Sequence, residues 1–225
     1  MAGNTGNVLP VYVMIDESAS MHDHLDVLMV GLQRLHDALL GEPMAAAKVR
    51  FSVLGFADDV EERLPLADLR RESEMPRLVA RGGTRYRPAF EDLRERIPRD
   101  VVALKSQGYS VHRPAVFFLS DGLPNDAGAW EEQYSKLVDR AVTPAAPNII
   151  AFGVGDANAP LIVQIASRPD YAFIAVESVD IGNAVAQFTQ SLTKSIVRSG
   201  RTLGSEQPEL IVERPQNFRM AIDVV

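Results

Sequence analysis

The chain contains no cysteine. That excludes a disulfide framework, thiolate zinc sites and a cysteine nucleophile, and it suits a reducing compartment. There is no excess of positive charge: 23 Lys and Arg stand against 30 Asp and Glu, a formal net charge of -7, which argues against non-specific binding to nucleic acid. No apolar run is long enough to span a bilayer, so membrane insertion is not expected. The opening "MAGNTGNVLP" lacks a basic stretch followed by an apolar one, so no secretion signal is expected. These absences together predict a cytoplasmic protein. Several catalytic signatures are also missing. There is no Walker loop and no Gly-x-Ser-x-Gly nucleophile elbow. "GVGDAN", from Gly153 to Asn158, imitates a dinucleotide fingerprint but lacks its third glycine and does not follow the first strand.

What is present is an alternation of apolar strands and amphipathic helices over 225 residues, of which 46% are hydrophobic, enough for one continuous core. Pro10 to Ile15 is apolar at nearly every position, as strands covered on both faces are. Leu25, Leu28, Leu32, Leu35 and Leu39 recur at helical spacing, predicting a helix from about His24 to Leu40 that Gly41 and Pro43 end. Val49 to Phe56 reads as a strand. "DDVEERLPLAD" supplies a short edge strand limited by Pro65. A helix begins near Pro88; Ala115 to Leu119 is a strand closed by Ser120-Asp121-Gly122. A helix over Trp130 to Ala141, a strand over Asn148 to Val154, a short helix in "APLIVQIA", a strand over Tyr171 to Val176 and a helix with its stripe on Ile181, Ala184, Val185, Phe188, Leu192 and Ile196 follow. The expectation is an α/β fold: a doubly wound, mostly parallel six-stranded sheet with helices on both faces. The domain is expected over residues 8–199. Residues 200–225, punctuated by Pro and Gly, form a C-terminal extension that reads as a linker, an added strand pair or a partner-docking segment.

The chemistry gathers at "VYVMIDESASMHDH". The first strand stops at Asp16, and hydroxyls follow at Ser18 and Ser20. In an extended turn, alternate residues point the same way, so three oxygens aim at one spot. Asp121 ends another strand, and in doubly wound sheets ligands bind beyond the carboxyl ends of the strands. Thr84 follows Gly82-Gly83, a backbone able to approach closely. A set of hard oxygens without thiolate or imidazole selects Mg²⁺, with Mn²⁺ and Ca²⁺ as alternatives. Two carboxylates barely neutralise such an ion, which leaves it able to accept an Asp or Glu of a partner protein. The plainer reading of Asp16, Ser18 and Ser20 is helix capping and turn chemistry. Asp58 and Asp59 read as solvated turn acids or as supports of the site, and His22 and His24 as exposed loop histidines. Arg81, Arg85 and Arg87 read equally as a solvated loop or as a basic rim steering an acidic partner.

Asp-x-Ser-x-Ser at Asp16, Ser18 and Ser20, followed by Thr84 and Asp121, resembles the metal-ion-dependent adhesion site of von Willebrand factor type A domains. The resemblance runs from about Val8 to Val197 and implies a Rossmann-like fold with these five residues around a divalent cation. Ala19 departs from the glycine common there and adds a methyl to a tight turn. Glu17 adds local negative charge. Within the family, "LPVYVMIDESASM", "LPLAD" and the short length are similar to bacterial tellurium-resistance TerY-like proteins. That similarity implies an intracellular adaptor in a stress-response system, with a kinase or phosphatase as partner, and not an enzyme. The alternatives are a metal-assisted phosphoryl or ester hydrolase using the same carboxylates, and a structural subunit whose tail pairs with another chain.

Overall fold

The computed structural model describes residues 6–126 and 128–223. Residues 1–5, on which the reading of the amino terminus partly rests, and residues 224–225 of the C-terminal extension lie outside the described residues. The strands are β1 (Gly6–Asp16), β2 (Val49–Phe56), β3 (Val60–Ala67), β4 (Tyr109–Val111), β5 (Ala115–Ser120), β6 (Asn148–Gly153), β7 (Ala172–Ala175) and β8 (Phe218–Met220). The helices are α1 (Leu25–Leu40), α2 (Pro43–Ala46), α3 (Tyr86–Ser106), α4 (Glu131–Val138), α5 (Ala159–Ile165) and α6 (Ile181–Thr202).

Among the described residues the sheet has eight strands where six were expected, in the order β3-β2-β1-β5-β6-β7-β8, with β4 also paired to β1. The two unexpected strands, β4 and β8, are three residues each, too short for a period of two to emerge from the sequence. β1 pairs parallel with β2 and β5, and β5, β6 and β7 continue in parallel. The antiparallel members β3 and β8 close the edges. From β1 the chain winds to β2 and β3 on one side, then returns to β5 on the other. The strand order therefore reverses between β1 and β5, and a crevice opens there beyond their carboxyl ends.

Two adjacent residues of β5 show how the layers are built. Side chains alternate faces along a strand. Phe118 stacks on Phe90 of α3 at 5.6 Å and on Phe56 at 5.0 Å. Phe117 stacks on Phe152, which also meets Phe188 of α6 at 4.9 Å. Thus α3 and α6 cover opposite faces, with α4 packed beside α3 and α1 beside α6. α1 and α6 approach so closely at Gly31 that an added Cβ would lie 2.4 Å from the Thr189 hydroxyl. α3 starts at Tyr86 and continues through Pro98 to Ser106. α4 is shorter than its apolar pattern suggested, ending at Val138.

The C-terminal segment lies along its own domain. Hydroxyls spaced along α6 stand in for a pairing strand. Ser199 accepts from Ile211 N at 2.8 Å, Ser195 accepts from Glu213 N at 2.9 Å, and Thr202 donates to Glu209 O at 2.8 Å. β8 then adds to β7. Among the described residues no helix is long and apolar enough to cross a membrane.

Candidate metal centre

β1 is buried along nearly its whole length, and its last residue, Asp16, is fully buried. Pairing of Ile15 with Leu119 sets the register so that Asp16 stands beside Ser120, with Asp121 one residue beyond. The crevice between β1 and β5 therefore receives both carboxylates from strand ends. Asp16 Oδ1 accepts from Ser18 N at 2.9 Å, an Asx turn that bends the chain sharply after the strand. Asp16 Oδ2 accepts from the Ser120 hydroxyl at 2.6 Å, and Ser120 in turn accepts from the Tyr86 hydroxyl at 2.9 Å.

Ser18 and Ser20 place their hydroxyl oxygens 3.0 Å apart. Ser18 precedes a 3-10 turn over Ala19–His24 without capping it through its side chain, and the side chain of His24 leaves α1 uncapped as well. The capping role open to these serines is thus not the one they play. Ala19 is exposed, and among the described non-glycine residues only Asn217 has a positive φ, so the extra methyl at Ala19 meets no backbone strain.

The second loop is stitched to this turn. Ala19 N donates to Gly82 O at 3.2 Å and Arg81 N to Glu17 O at 2.6 Å. Gly82 has φ +29°, and a Cβ there would sit 1.9 Å from Asp58 Oδ2, so glycine is required for the loop to pass that carboxylate. Thr84 is buried, and Asn125 clasps it, accepting from Thr84 N at 2.8 Å and donating its own N–H to Thr84 O at 2.7 Å. Asp126 caps α3 from outside the helix, accepting from Tyr86 N at 3.0 Å and Arg87 N at 2.8 Å. The loop after β5 therefore supplies Asp121 and also fixes the loop that carries Thr84.

Asp121 is 6% exposed, and its Oδ1 is buried without a hydrogen-bond partner. A buried carboxylate oxygen without a donor is costly, on the order of several kcal/mol when charged, unless something positive satisfies it. Burial pushes the Asp121 carboxyl above its ordinary pKa, while the neighbouring Ser20 hydroxyl pulls the other way. Burial raises Asp16 to about 6 against the pull of Ser120 and Ser18, and the charge of Asp121 adds to the rise. Two carboxylates, one close enough to disfavour the charge of the other, beside a pair of hydroxyls form a donor set that fits a hard divalent cation. Among the described residues no group of three or more His, Asp or Glu is arranged to hold a metal; hydroxyls, not further carboxylates, complete this set.

Two expectations are corrected. Glu17 does not add free negative charge to the site. It is fully buried and neutralised, its carboxylate accepting from Arg63 Nε at 2.9 Å and Nη2 at 2.7 Å, Arg81 Nε at 3.1 Å and Val79 N at 3.2 Å. Arg81 belongs neither to a solvated loop nor to a basic rim, because it turns inward to Glu17, Asp59, Glu61 and the Gly55 carbonyl. Arg85 and Arg87 are exposed, but each sits beside an acid, Asp58 at 3.3 Å and Glu91 at 4.0 Å. Asp58 and Asp59 are exposed acids of the turn after β2, and both also brace the site loop: Asp58 accepts from Gly83 N at 3.3 Å, and Asp59 pairs with Arg81. His22 is exposed and bonded to Asp23 at 2.8 Å. In "GVGDAN", Asn158 caps α5 by accepting from Leu161 N at 3.1 Å.

The profile of the von Willebrand factor type A domain matches residues 11–189. Comparison with curated proteins finds no match. Among solved structures, proximal thread matrix protein 1 from the mussel byssus, with a zinc-occupied MIDAS motif, aligns with a TM-score of 0.58 at 15% identity, covering 85% of this chain and 48% of its own. The pilus adhesin SpaC from Lactobacillus rhamnosus GG aligns at 0.63 and 14% identity, covering 86% of this chain and 31% of its own. A von Willebrand factor type A protein from Catenulispora acidiphila aligns at 0.53 and 14% identity, covering 85% and 43%. This chain thus spans about half the length of the mussel protein, and less of the adhesin. At such identities the likeness is one of fold.

Proposed function

The chain belongs to the von Willebrand factor type A domain family, and on that premise we propose that it is a divalent-cation-dependent module that binds a partner protein through an Asp or Glu carboxylate. The observation that carries this reading is the buried, partnerless Oδ1 of Asp121, on a carboxylate that neighbours the Ser20 hydroxyl and whose charge is felt at Asp16. Asp16, Ser18, Ser20 and Thr84 hold the ion, and Asp121 binds it directly or orients a water on it. The cation supplies an electrophilic centre at the domain surface that an acid from outside completes. The chain's own residues do the rest. The Asx turn and Ser120 fix the two oxygens of Asp16, Asn125 fixes Thr84, and the neutralised Glu17 leaves the total charge of the site to Asp16 and Asp121.

Mg²⁺ is the cation proposed, because oxygen donors of this hardness suit it, with Mn²⁺ or Ca²⁺ as substitutes. In the mussel protein the MIDAS motif is occupied by zinc. The domain is assigned to residues 8–199 with 200–225 as its extension. The finer assignment, a cytoplasmic non-enzymatic adaptor in a bacterial stress-response or tellurium-resistance-type system working with a kinase or phosphatase, rests on the sequence similarity to TerY-like proteins.

The test is capture of partners from native lysate by the wild-type protein in Mg²⁺, in chelator, and by Asp16→Ala. Capture lost in both of the latter supports the reading; capture that survives both contradicts it. Mg²⁺-dependent phosphatase turnover abolished by Asp16→Ala would replace it with the hydrolase.

A further inference from the structure

At the amino ends of β5 and β6, at the opposite end of the sheet from the metal centre, two cavities meet. One, of about 330 Å³, is an apolar groove between Pro98, Val102 and Lys105 of α3 and the facing Val111, Pro144 and Ala145. The other, of about 300 Å³, is polar and is lined by Arg140, Asn148 and Glu209 among others. His112 and Arg113 line both, so the groove runs into the polar cavity.

The surface has two unusual properties. Val102 is 67% exposed, and Val142, two residues before Pro144, is 58% exposed, so apolar surface is offered to solvent here. Among the described residues no carboxylate lies within ion-pair distance of Lys105, Arg113 or Arg140, whereas Arg63, Arg81, Arg96 and Arg201 each hold one. A cationic trio without carboxylate partners, in which Arg113 donates to the Ala146 carbonyl, runs against a chain of net charge -7. Arg113 and Arg140 are near enough to disfavour each other, and burial together with Arg140 lowers the Arg113 pKa. Burial also holds His112 below its ordinary pKa, leaving it a neutral hydrogen-bonding group at pH 7. Glu209 is the one acid on the polar cavity's lining.

We propose that this end of the domain is a second docking surface, whose occupant is an extended peptide that pairs an apolar side chain with a nearby carboxylate. The apolar residue lies between Val102 and Pro144, and the carboxylate reaches Arg113 and Arg140. Charge complementarity selects the acid. The apolar floor selects a peptide over a free anion, which has nothing to place there. The prolines make walls that lose little freedom on binding. The surface lies roughly 25 Å from Asp121 along β5, at about 3.3 Å per residue, so it works independently of the cation site and equips one domain to hold two partners.

The experiment selects a random dodecapeptide library displayed on phage against the wild-type protein in EDTA, with the cation site silenced. Binding of an enriched synthetic peptide is then followed by fluorescence anisotropy. Enriched sequences are expected to join Leu, Ile or Phe to Asp or Glu within a few residues. Arg140→Glu, at an exposed position, weakens binding about tenfold or more. Val102→Asp, equally exposed, does the same, and Asp16→Ala leaves binding unchanged. Absence of enrichment overturns the proposal, as does binding to Arg140→Glu and Val102→Asp at wild-type strength. Enrichment of acidic peptides without apolar residues, displaced by millimolar inorganic phosphate, also overturns it by revealing a small-anion site.

Discussion

The Ser120 hydroxyl donates a 2.6 Å hydrogen bond to Asp16 Oδ2, joining residues 104 positions apart at the ends of neighbouring strands. Ser120 is not among the proposed ligands; it holds one. Ser120→Ala frees an oxygen of Asp16 and leaves the Tyr86 hydroxyl only the Gly122 carbonyl. Loss of a buried hydrogen bond to a charged group costs about 1.5–3 kcal/mol. Loss of a group that orients a ligand costs about 10- to 100-fold in metal affinity. Calorimetric titration of the variant with Mg²⁺ is expected to show that weakening with an unchanged circular dichroism spectrum.

Glu17 joins the first site loop to the second. With four donors on a fully buried carboxylate, it fixes Val79 and Arg81 relative to the β1 turn. Gly55 makes room for it, since a Cβ there would lie 2.2 Å from the carboxylate. Glu17→Gln leaves Arg63 and Arg81 without their buried counter-charge, and breaking a buried pair costs about 3–5 kcal/mol. The expected result is a lower urea midpoint and faster hydrogen exchange over residues 79–84. Unchanged exchange there would show that Glu17 does not hold the loop.

The pattern of the proposed site is visible in the sequence because it is local. Asp16, Ser18 and Ser20 fall at alternate positions after an apolar run, and Asp121 closes another, so strand ends could be read without knowing the fold. The supports were not legible. Ser120, Asn125 and Asp126 act through contacts 34 to 104 residues away, and a serine or asparagine in a turn has many local uses. The fate of Glu17 depended on Arg63, Arg81 and Gly55 meeting it in space, which no spacing reports. The same holds for the sheet. Strands such as β5 appear as unbroken apolar runs, whereas β4 and β8 are strands only because β1 and β7 offer them edges.

Acid should stabilise the cation-free protein through Asp16. Its ordinary pKa of 3.8 rises to about 6 on folding, chiefly through burial. The folded state therefore holds a proton more readily than the unfolded state between those values. Stability contributed by this group is full below pH 4 and lost as pH rises through 6. The difference is on the order of 3 kcal/mol at most. In chelator, the wild-type protein should gain stability from pH 7 to pH 5 relative to Asp16→Asn, measured by urea denaturation of both. Equal pH profiles would show that Asp16 carries no such burden.

The cation-binding claim is tested most directly by isothermal titration of Mg²⁺ into the metal-stripped wild-type protein at pH 7, run beside folded Asp16→Ala. The account predicts one saturable site in the wild type and none in the variant. Absence of binding in the wild type, or equal binding in both, would contradict it.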